Sequence, residues 1–410
     1  MDGVIAAGRV VTGTATHEPG WVEHAAGRVV AVGAGAPPRE PVHDLGPETT
    51  LVPGFVDIHV HGGGGADYPS GEPAAARAAR AAHRAHGTTR SMASLVAAAP
   101  EALRAQLAAL APLVADGTLG GVHLEGPWIS PARAGAHDPA QLRHPDPAEI
   151  DALLAVAPGA VRMVTLAPEL SGALDAIARF RAAGVVVAIG HTDADAATVR
   201  AAIEAGATVA THLFNAMPPL HHRAPGPVLA LLEDPRVTVE LIADGTHLDP
   251  ALARWVAAQA GPDRVALVTD AMGAAGCGDG SYRLGALDVV VGDGVARLAG
   301  SDTIAGSTVT MDALFRAAAG WGAPAAGAGA ASPAALSSAA LSAAALQAAV
   351  RMTATTPART VGWDDVGDLA PGRWADCVAL DPDLRVIRVF SRGEALPKNI
   401  STPRYPAELG

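Results

Sequence analysis

Leu51-Val52-Pro53-Gly54-Phe55-Val56-Asp57-Ile58-His59-Val60-His61 is a short apolar run that ends in two histidines at alternate positions. A run of this length, rich in Val, Ile and Phe, reads as a strand. The two-residue period of a strand puts both imidazoles on the same face. From here the chain repeats itself in outline. Apolar runs at 51–59, 88–92, 120–124, 162–166, 185–189, 207–212, 237–242 and 264–269 alternate with Ala-rich helical stretches such as 74–86, 100–115 and 173–183. Strands separated by helices imply βα units and a parallel sheet. Eight such units over about 220 residues match the size of a TIM barrel.

On either side the texture changes. Residues 1–50 hold short β-prone pieces with turn signals, for example 27–32 followed by Pro37-Pro38 and Gly46-Pro47. Strand-like runs return at 372–380 and 386–390. The expected architecture is therefore α/β: a TIM (β/α)8 barrel over 51–365, beside a small β-sandwich that both termini build, 1–50 and 366–410. The Ala-rich stretch 317–350 is broken by Gly322, Pro324 and Pro333. It reads as two helices around a loop and not as a membrane span.

Composition narrows the function. The net charge of −12 opposes a nucleic-acid partner, which needs a clustered basic surface. Cys277 and Cys377 are the only cysteines, too few for a disulfide framework or a thiolate metal site. Lys398 is the only lysine, so a P-loop lysine, a Schiff-base lysine and a carbamylated lysine between two metals are all excluded from the barrel. The opening MDGVIAAGRVVTG lacks a basic segment followed by an apolar core, so no signal peptide is expected. The chain reads as cytoplasmic, with no membrane partner.

The chemistry lies at the strand ends. His59 and His61 end the first strand, Glu125 follows the third, His191 the fifth, His212 ends the sixth, and Asp270 follows the eighth. The carboxyl ends of barrel strands converge on one rim, where the active sites of such barrels lie. A lone histidine near an apolar strand is more often a hydrogen-bonded structural residue than a ligand. Ligand types at matching depth on five strands argue for a joint site. Imidazole and carboxylate without thiolate suit a hydrolytic divalent metal, with zinc first and iron, cobalt or manganese as alternatives. Asp270 is placed to act as acid/base towards the water that such a metal activates. His83 and His86 fall on a helix, and His17, His24, His43 and His144 in loops or the sandwich, so these read as structural. His123 shares the face of Glu125 at greater depth and reads as packing behind the ligands.

The motif Pro53-Gly54-Phe55-Val56-Asp57-Ile58-His59-Val60-His61-Gly62 resembles the first-strand signature of the amidohydrolase superfamily. His123-Leu124-Glu125-Gly126-Pro127-Trp128, Gly190-His191-Thr192, Thr211-His212-Leu213-Phe214-Asn215-Ala216-Met217 and Ala305-Gly306-Ser307 resemble, more narrowly, its N-acetylglucosamine-6-phosphate deacetylases. The likeness runs from about residue 50 to Pro371-Gly372-Arg373-Trp374-Ala375-Asp376. It implies hydrolysis of the acetamide of a phosphorylated amino sugar, in amino-sugar catabolism and cell-wall recycling. By this resemblance Glu125, His191 and His212 hold the catalytic metal, and Asp270 is the acid/base. His137, after Ala136, and His247, in Asp244-Gly245-Thr246-His247, contact the sugar and the acetamide carbonyl. Asn215, Ala216 and Arg223 receive the 6-phosphate, with Arg223 reaching into a neighbouring subunit of a homodimer. Ile304, Ala305 and Gly306 line the sugar pocket. Some members lack the His-x-His pair and use one metal. With His59 and His61 both present a second metal is possible, Glu125 bridging the two. Three alternatives remain from sequence: a deacetylase for another N-acetyl amino sugar phosphate, a cyclic amidase, or a barrel that does no chemistry.

Overall fold

In the computed structural model, which describes residues 2–321 and 341–397, the expected barrel strands form one sheet. They are β1 (Phe55–Asp57), β2 (Thr88–Leu95), β3 (Gly121–Glu125), β4 (Val161–Leu166), β5 (Val186–Ile189), β6 (Val209–Ala210), β7 (Thr238–Leu241) and β8 (Val265–Leu267). Their spatial order is their order along the chain. From β2 to β8 every neighbouring pair is parallel. Beyond the strand ends, Asp270 N–H donates to His59 O and His61 N–H to Ala271 O, both at 2.8 Å. Those bonds bring the continuation of β1 against that of β8, and the barrel closes.

Helices fill the connections, as βα units require. Pro73–Ala85, Pro100–Ala115, Pro147–Val156, Ala173–Ala182, Ala196–Ala205, Gly226–Glu233 and Pro250–Ala260 follow β1 to β7 in turn, and Met311–Gly320 follows β8. Their starts carry local signals. Asp146, Asp195 and Asp249 accept hydrogen bonds from backbone N–H groups of the first helical turn, and prolines occupy the first turn where no donor is needed. In Pro100–Ala115, Leu103, Leu107, Leu110 and Leu113 recur every three or four residues and are buried. Each contributes roughly 1.5–3 kcal/mol by leaving water.

The described chain divides into two compact units. One gathers residues 2–57, 83–90, 311–321 and 341–397, and the other Ile58–Ala82 with Ser91–Thr310. In the first, a four-stranded sheet is built from residues 3–44, and a six-stranded sheet joins strands from both ends of the chain. Ile5, Val22 and Val29 from one sheet bury together with Val10, Leu51, Cys377 and Phe390 from the other, which makes the β-sandwich. Residues 398–410 of its expected extent lie outside the described residues.

Three expectations change in detail. The run 51–59 is not one strand. Thr50–Pro53 pairs in parallel with Arg9–Val11 and antiparallel with Cys377–Leu380, so it belongs to the sandwich, and the barrel strand begins at Phe55. The stretch 317–350 does show helices at its two ends, Met311–Gly320 and Ala343–Val350, while 322–340 lies outside the described residues. The sequence reading had no place for the antiparallel sheet Gly280–Leu284, Leu287–Gly292 and Val295–Leu298. Its Leu284, Val289, Val291 and Ala296 pack with Val96, Met272 and Ala305, next to the strand ends. Among the described residues no helix is long and apolar enough to cross a membrane.

Candidate metal centre and active-site cavity

The six ligand candidates meet on one rim of the barrel. His59 and His61 follow β1, Glu125 is the last residue of β3, and His191, His212 and Asp270 lie two or three residues beyond β5, β6 and β8. All six are buried, Asp270 the most accessible at 8%. They form two groups that share Glu125: His59, His61, Glu125 and Asp270; and Glu125, His191 and His212. Within each group the potential ligand atoms lie within 4.8 Å of one another.

The hydrogen-bond pattern shows which nitrogen of each ring faces inward. His61 Nδ1 lies 3.1 Å from Ser94 O, and His191 Nδ1 lies 2.8 Å from Arg133 O. A carbonyl oxygen only accepts, so both rings carry their proton on Nδ1 and turn the Nε2 lone pair into the centre. His59 Nδ1 lies 3.1 Å from Glu240 Oε2 in the same sense. Inside, His59 Nε2 and His61 Nε2 are 3.3 Å apart, and His191 Nε2 and His212 Nε2 are 3.1 Å apart. The carboxylates face the same nitrogens: Glu125 Oε1 is 3.1 Å from His191 Nε2 and 3.0 Å from His212 Nε2, and Asp270 Oδ1 is 3.1 Å from His61 Nε2.

Acceptors that face acceptors in a dry interior need positive charge between them. Burial works against charge on His61, yet its hydrogen bonds to Asp270 and Glu125 prevail and lift its imidazole to about 9. Asp270 is likewise buried, but the charge on His59 and the bond from His61 hold it well below the usual carboxylate range. The centre thus draws protons onto the rings that face the carboxylates. A divalent cation answers the same demand, and the N/O donor set suits one.

Local backbone aims these groups. His191, His212 and Asp270 have φ of 47°, 27° and 47°, and Phe214 and Ala216 have φ of 79° and 52°. Non-glycine residues rarely adopt this left-handed region, and where they do the surroundings must enforce it. Gly306 has φ of 68°, and a Cβ there would stand 2.9 Å from Asp270 O. Only glycine lets this segment run against the Asp270 turn, where Ser307 N–H donates to Asp270 O and Ser307 Oγ to Thr269 O. On the other wall a Cβ at Gly135, φ 58°, would stand 3.0 Å from His191 Cε1.

Above the centre lies a cavity of about 320 Å³, lined by His61, Glu125, His191, His212 and Asp270 together with Ala136, His137, Asn215, Ala216, His247, Ile304 and Gly306. His137 differs from the ligand rings. Its Nδ1 accepts the Ala97 N–H at 3.1 Å, so the proton sits on Nε2, which lies 3.3 Å from Glu125 Oε2. Burial pushes this imidazole down to about 4, so it is a neutral donor. His247 Nδ1 is held at 2.8 Å by Asp244 Oδ2. Burial would lower His247, but Asp244 outweighs it and raises it. Asp244 thus stands behind the wall, and Ala305 is buried in the packing under the small sheet. Arg223 is not among the lining residues. It is exposed, with Nη1 2.8 Å from His222 Nε2.

His123 lies behind the ligands, as its depth on the strand implied. It is fully buried, bridging Ser94 Oγ at 3.0 Å and Thr165 Oγ1 at 2.8 Å. Sequence reasoning missed Glu240, whose one signal is an acid in the apolar run of β7. It also missed Asp302 and Thr303, which line the cavity from a loop.

Residues 50–396 match the amidohydrolase family. The chain belongs to that family, among its N-acetylglucosamine-6-phosphate deacetylases. An Escherichia coli O157:H7 relative, an N-acetylgalactosamine-6-phosphate deacetylase, is 36% identical over 84% of this chain and 87% of its own. The N-acetylglucosamine-6-phosphate deacetylase of Vibrio furnissii is 34% identical over 88% of this chain and 86% of its own. Among solved structures, an N-acetyl-D-glucosamine-6-phosphate deacetylase mutant from Mycobacterium smegmatis, in complex with N-acetyl-D-glucosamine 6-phosphate, is 50% identical. It superposes with a TM-score of 0.90 over 96% of this chain and 99% of its own. As an amidohydrolase the chain requires a divalent metal, and the two ligand groups are where it fits.

Proposed function

We propose that the chain hydrolyses the acetamide of N-acetylglucosamine 6-phosphate to acetate and glucosamine 6-phosphate. The observation that carries this reading is the buried convergence of four imidazoles on Glu125 and Asp270, at the floor of a cavity with a neutral donor, His137, in its wall. A cavity of about 320 Å³ falls in the range of small-molecule sites, roughly 300–1,000 Å³. The 50% identical Mycobacterium smegmatis enzyme supports the gluco configuration, and the Escherichia coli relative keeps the galacto epimer as the second reading.

Glu125, His191 and His212 are proposed to hold one ion, and His59, His61 and Asp270, with Glu125 shared, a second; zinc is favoured over iron, cobalt or manganese for this donor set. When bound, such an ion supplies Lewis acidity that polarises the amide carbonyl and eases deprotonation of water. The rest falls to the chain. Asp270 accepts the proton of the attacking water and delivers it to the departing amine nitrogen. His137 Nε2–H donates to the carbonyl oxygen as negative charge builds on it. His247, oriented by Asp244, meets the sugar, and the backbone of Ile304 to Gly306 walls it in. Asn215 and Ala216 receive the phosphate with Arg223. Because Arg223 does not line the cavity of its own chain, the proposed clamp comes from the second copy in a homodimer.

All lining residues fall between His61 and Gly306. This supports the part of the proposed catalytic domain, 51–365, that lies between them, with 1–50 and 366–410 as the proposed sandwich domain. A phosphorylated sugar does not cross a lipid bilayer unaided, which supports the cytoplasm as the site of the proposed activity. The test is acetate release from the 6-phosphates of N-acetylglucosamine and N-acetylgalactosamine, combined with metal analysis of the purified chain. A metal-free protein that releases acetate at full rate, or a metal-loaded one that releases none from either sugar, would reject the reading.

A further inference from the structure

Glu240 is fully buried on β7, between Val239 and Leu241, both 0% exposed. Its Oε2 lies 3.1 Å from His59 Nδ1 and 3.3 Å from the backbone N of His212. The backbone N–H must donate, so this oxygen is an acceptor, and it receives the outer N–H of His59 as well. Glu240 O accepts the N–H of Leu213 at 3.0 Å, fixing the residue that follows His212. Glu240 Oε1 is buried without a hydrogen-bond partner. A carboxyl group is costly in such a place, and β7 supplies no inward-facing ligand of its own.

His59 belongs to one ligand group and His212 to the other. On the inner side both turn Nε2 to Glu125 Oε1, His59 at 3.4 Å and His212 at 3.0 Å. One oxygen behind the centre therefore grips one member of each group. We propose that Glu240 is a positioning residue that ties the two ligand groups together, holding the His59 ring by its outer nitrogen and the His212 turn by its backbone. The inference rests on the reading of the cluster as a metal centre. Outer partners of ligating histidines fix ring orientation, and their loss weakens metal binding by roughly 10–100-fold. Here one side chain serves both groups, so its loss loosens both.

The experiment compares wild type with Glu240→Gln, which keeps shape and one acceptor oxygen, and Glu240→Leu, which keeps neither. Zn²⁺ affinity is measured by competition with a chelator, and the visible spectrum of the Co²⁺-loaded protein reports ligand geometry. Binding is expected to weaken by about 10–100-fold in Glu240→Leu, less in Glu240→Gln, with an altered Co²⁺ spectrum. A purely structural role would lower the melting temperature and leave that spectrum unchanged. In a His59→Ala background Glu240→Leu, which removes the acceptor of the His212 N–H, should still weaken the remaining ion through the His212 turn. Equal affinities and spectra in Glu240→Gln and wild type overturn the proposal, whether or not Glu240→Leu folds. An effect that vanishes in the His59→Ala background overturns the tie to His212. If wild type binds neither Zn²⁺ nor Co²⁺, the metal-centre reading itself has failed, and that outcome is distinct from equal binding by wild type and variants.

Discussion

At the floor of the cavity every inward imidazole nitrogen of His59, His61, His191 and His212 lies within 3.4 Å of a carboxylate oxygen, and the outer nitrogens of three of them are spoken for by Glu240, Ser94 and Arg133. At the outer end, residues 220–224 are exposed and Arg223 Nη1 meets His222, itself exposed. The floor is complete within one chain, because strand ends at matching depth can face each other only inward. The outer end is exposed, and its cation, Arg223, does not line the cavity. On the proposed reading chemistry is built from the scaffold and recognition from a loop, so the two should respond differently to substitution.

The largest effect is expected at the floor. Asp270→Asn should lower kcat by about 10²–10⁴-fold, since a carboxamide cannot take the proton from water. Glu125, His191 and His212 should still hold one ion per chain. A variant that keeps more than about a tenth of wild-type kcat would remove Asp270 from the acid/base role.

Next comes the wall just above. His137→Phe deletes one donor to the carbonyl oxygen, and kcat should fall by about 10²-fold, as for other oxyanion donors, with a smaller change in KM. Burial holds this ring near 4 in the fold, against an ordinary value near 6.5, so it is neutral in the fold where it is protonated in the unfolded chain. Stability linked to His137 is therefore lost as pH falls below about 6.5 towards 4, and His137→Phe should flatten that part of a stability profile. An unchanged kcat would mean that the Nε2–H serves Glu125 and not the substrate.

These two regions differ as much in how they show in the sequence. His59, His61, Glu125, His191, His212 and Asp270 were legible because each stands at or just past the end of an apolar run, and eight such runs order themselves. Glu240 was not. Its partner His59 is 181 residues away, and only closure of the barrel joins them. The split of the first run at Gly54 was hidden for a related reason. Thr50–Pro53 and Phe55–Asp57 are equally buried, and what separates them is pairing with strands from both ends of the chain. The small sheet 280–298 was hidden because it buries one face only, as in Leu287–Gly292, where Val289 and Val291 are buried and Asp288 and Val290 exposed.

At the outer end, Arg223→Ala should lower kcat/KM for N-acetylglucosamine 6-phosphate by at least about tenfold, the loss of one charge-assisted hydrogen bond of roughly 1.5–3 kcal/mol. Hydrolysis of the unphosphorylated sugar should barely change. Mixing Arg223→Ala with Asp270→Asn should restore activity if the arginine crosses between copies, because one kind of site in a mixed dimer then has both residues. Equal losses on both sugars would make Arg223 a surface residue, and the contrast between floor and outer end would dissolve.

The smallest effect belongs to the middle of the cavity, where His247 stands between the two regimes. Asp244 Oδ2 holds its Nδ1–H at 2.8 Å and raises its pKa although burial opposes this. A base raised above its ordinary value favours the fold fully below about 6.5, and that contribution fades as pH climbs through the raised value. In Asp244→Asn the carboxylate is gone, burial prevails, and His247 loses its proton at lower pH. At the acid end, where both rings are protonated, the variant should bind the phosphorylated sugar about as well as wild type. At a pH between the variant's lowered value and the raised one, its KM should rise by roughly fivefold, about 1 kcal/mol for one weakened hydrogen bond, with kcat nearly constant. A KM that rises equally at both pH values would point to a displaced loop, since the hydrogen bonds that Asp244 accepts from the N–H groups of Thr246 and His247 shape that turn. A fall in kcat with unchanged KM would move His247 from holding the sugar to the reacting bond, and so from the side of recognition to that of chemistry.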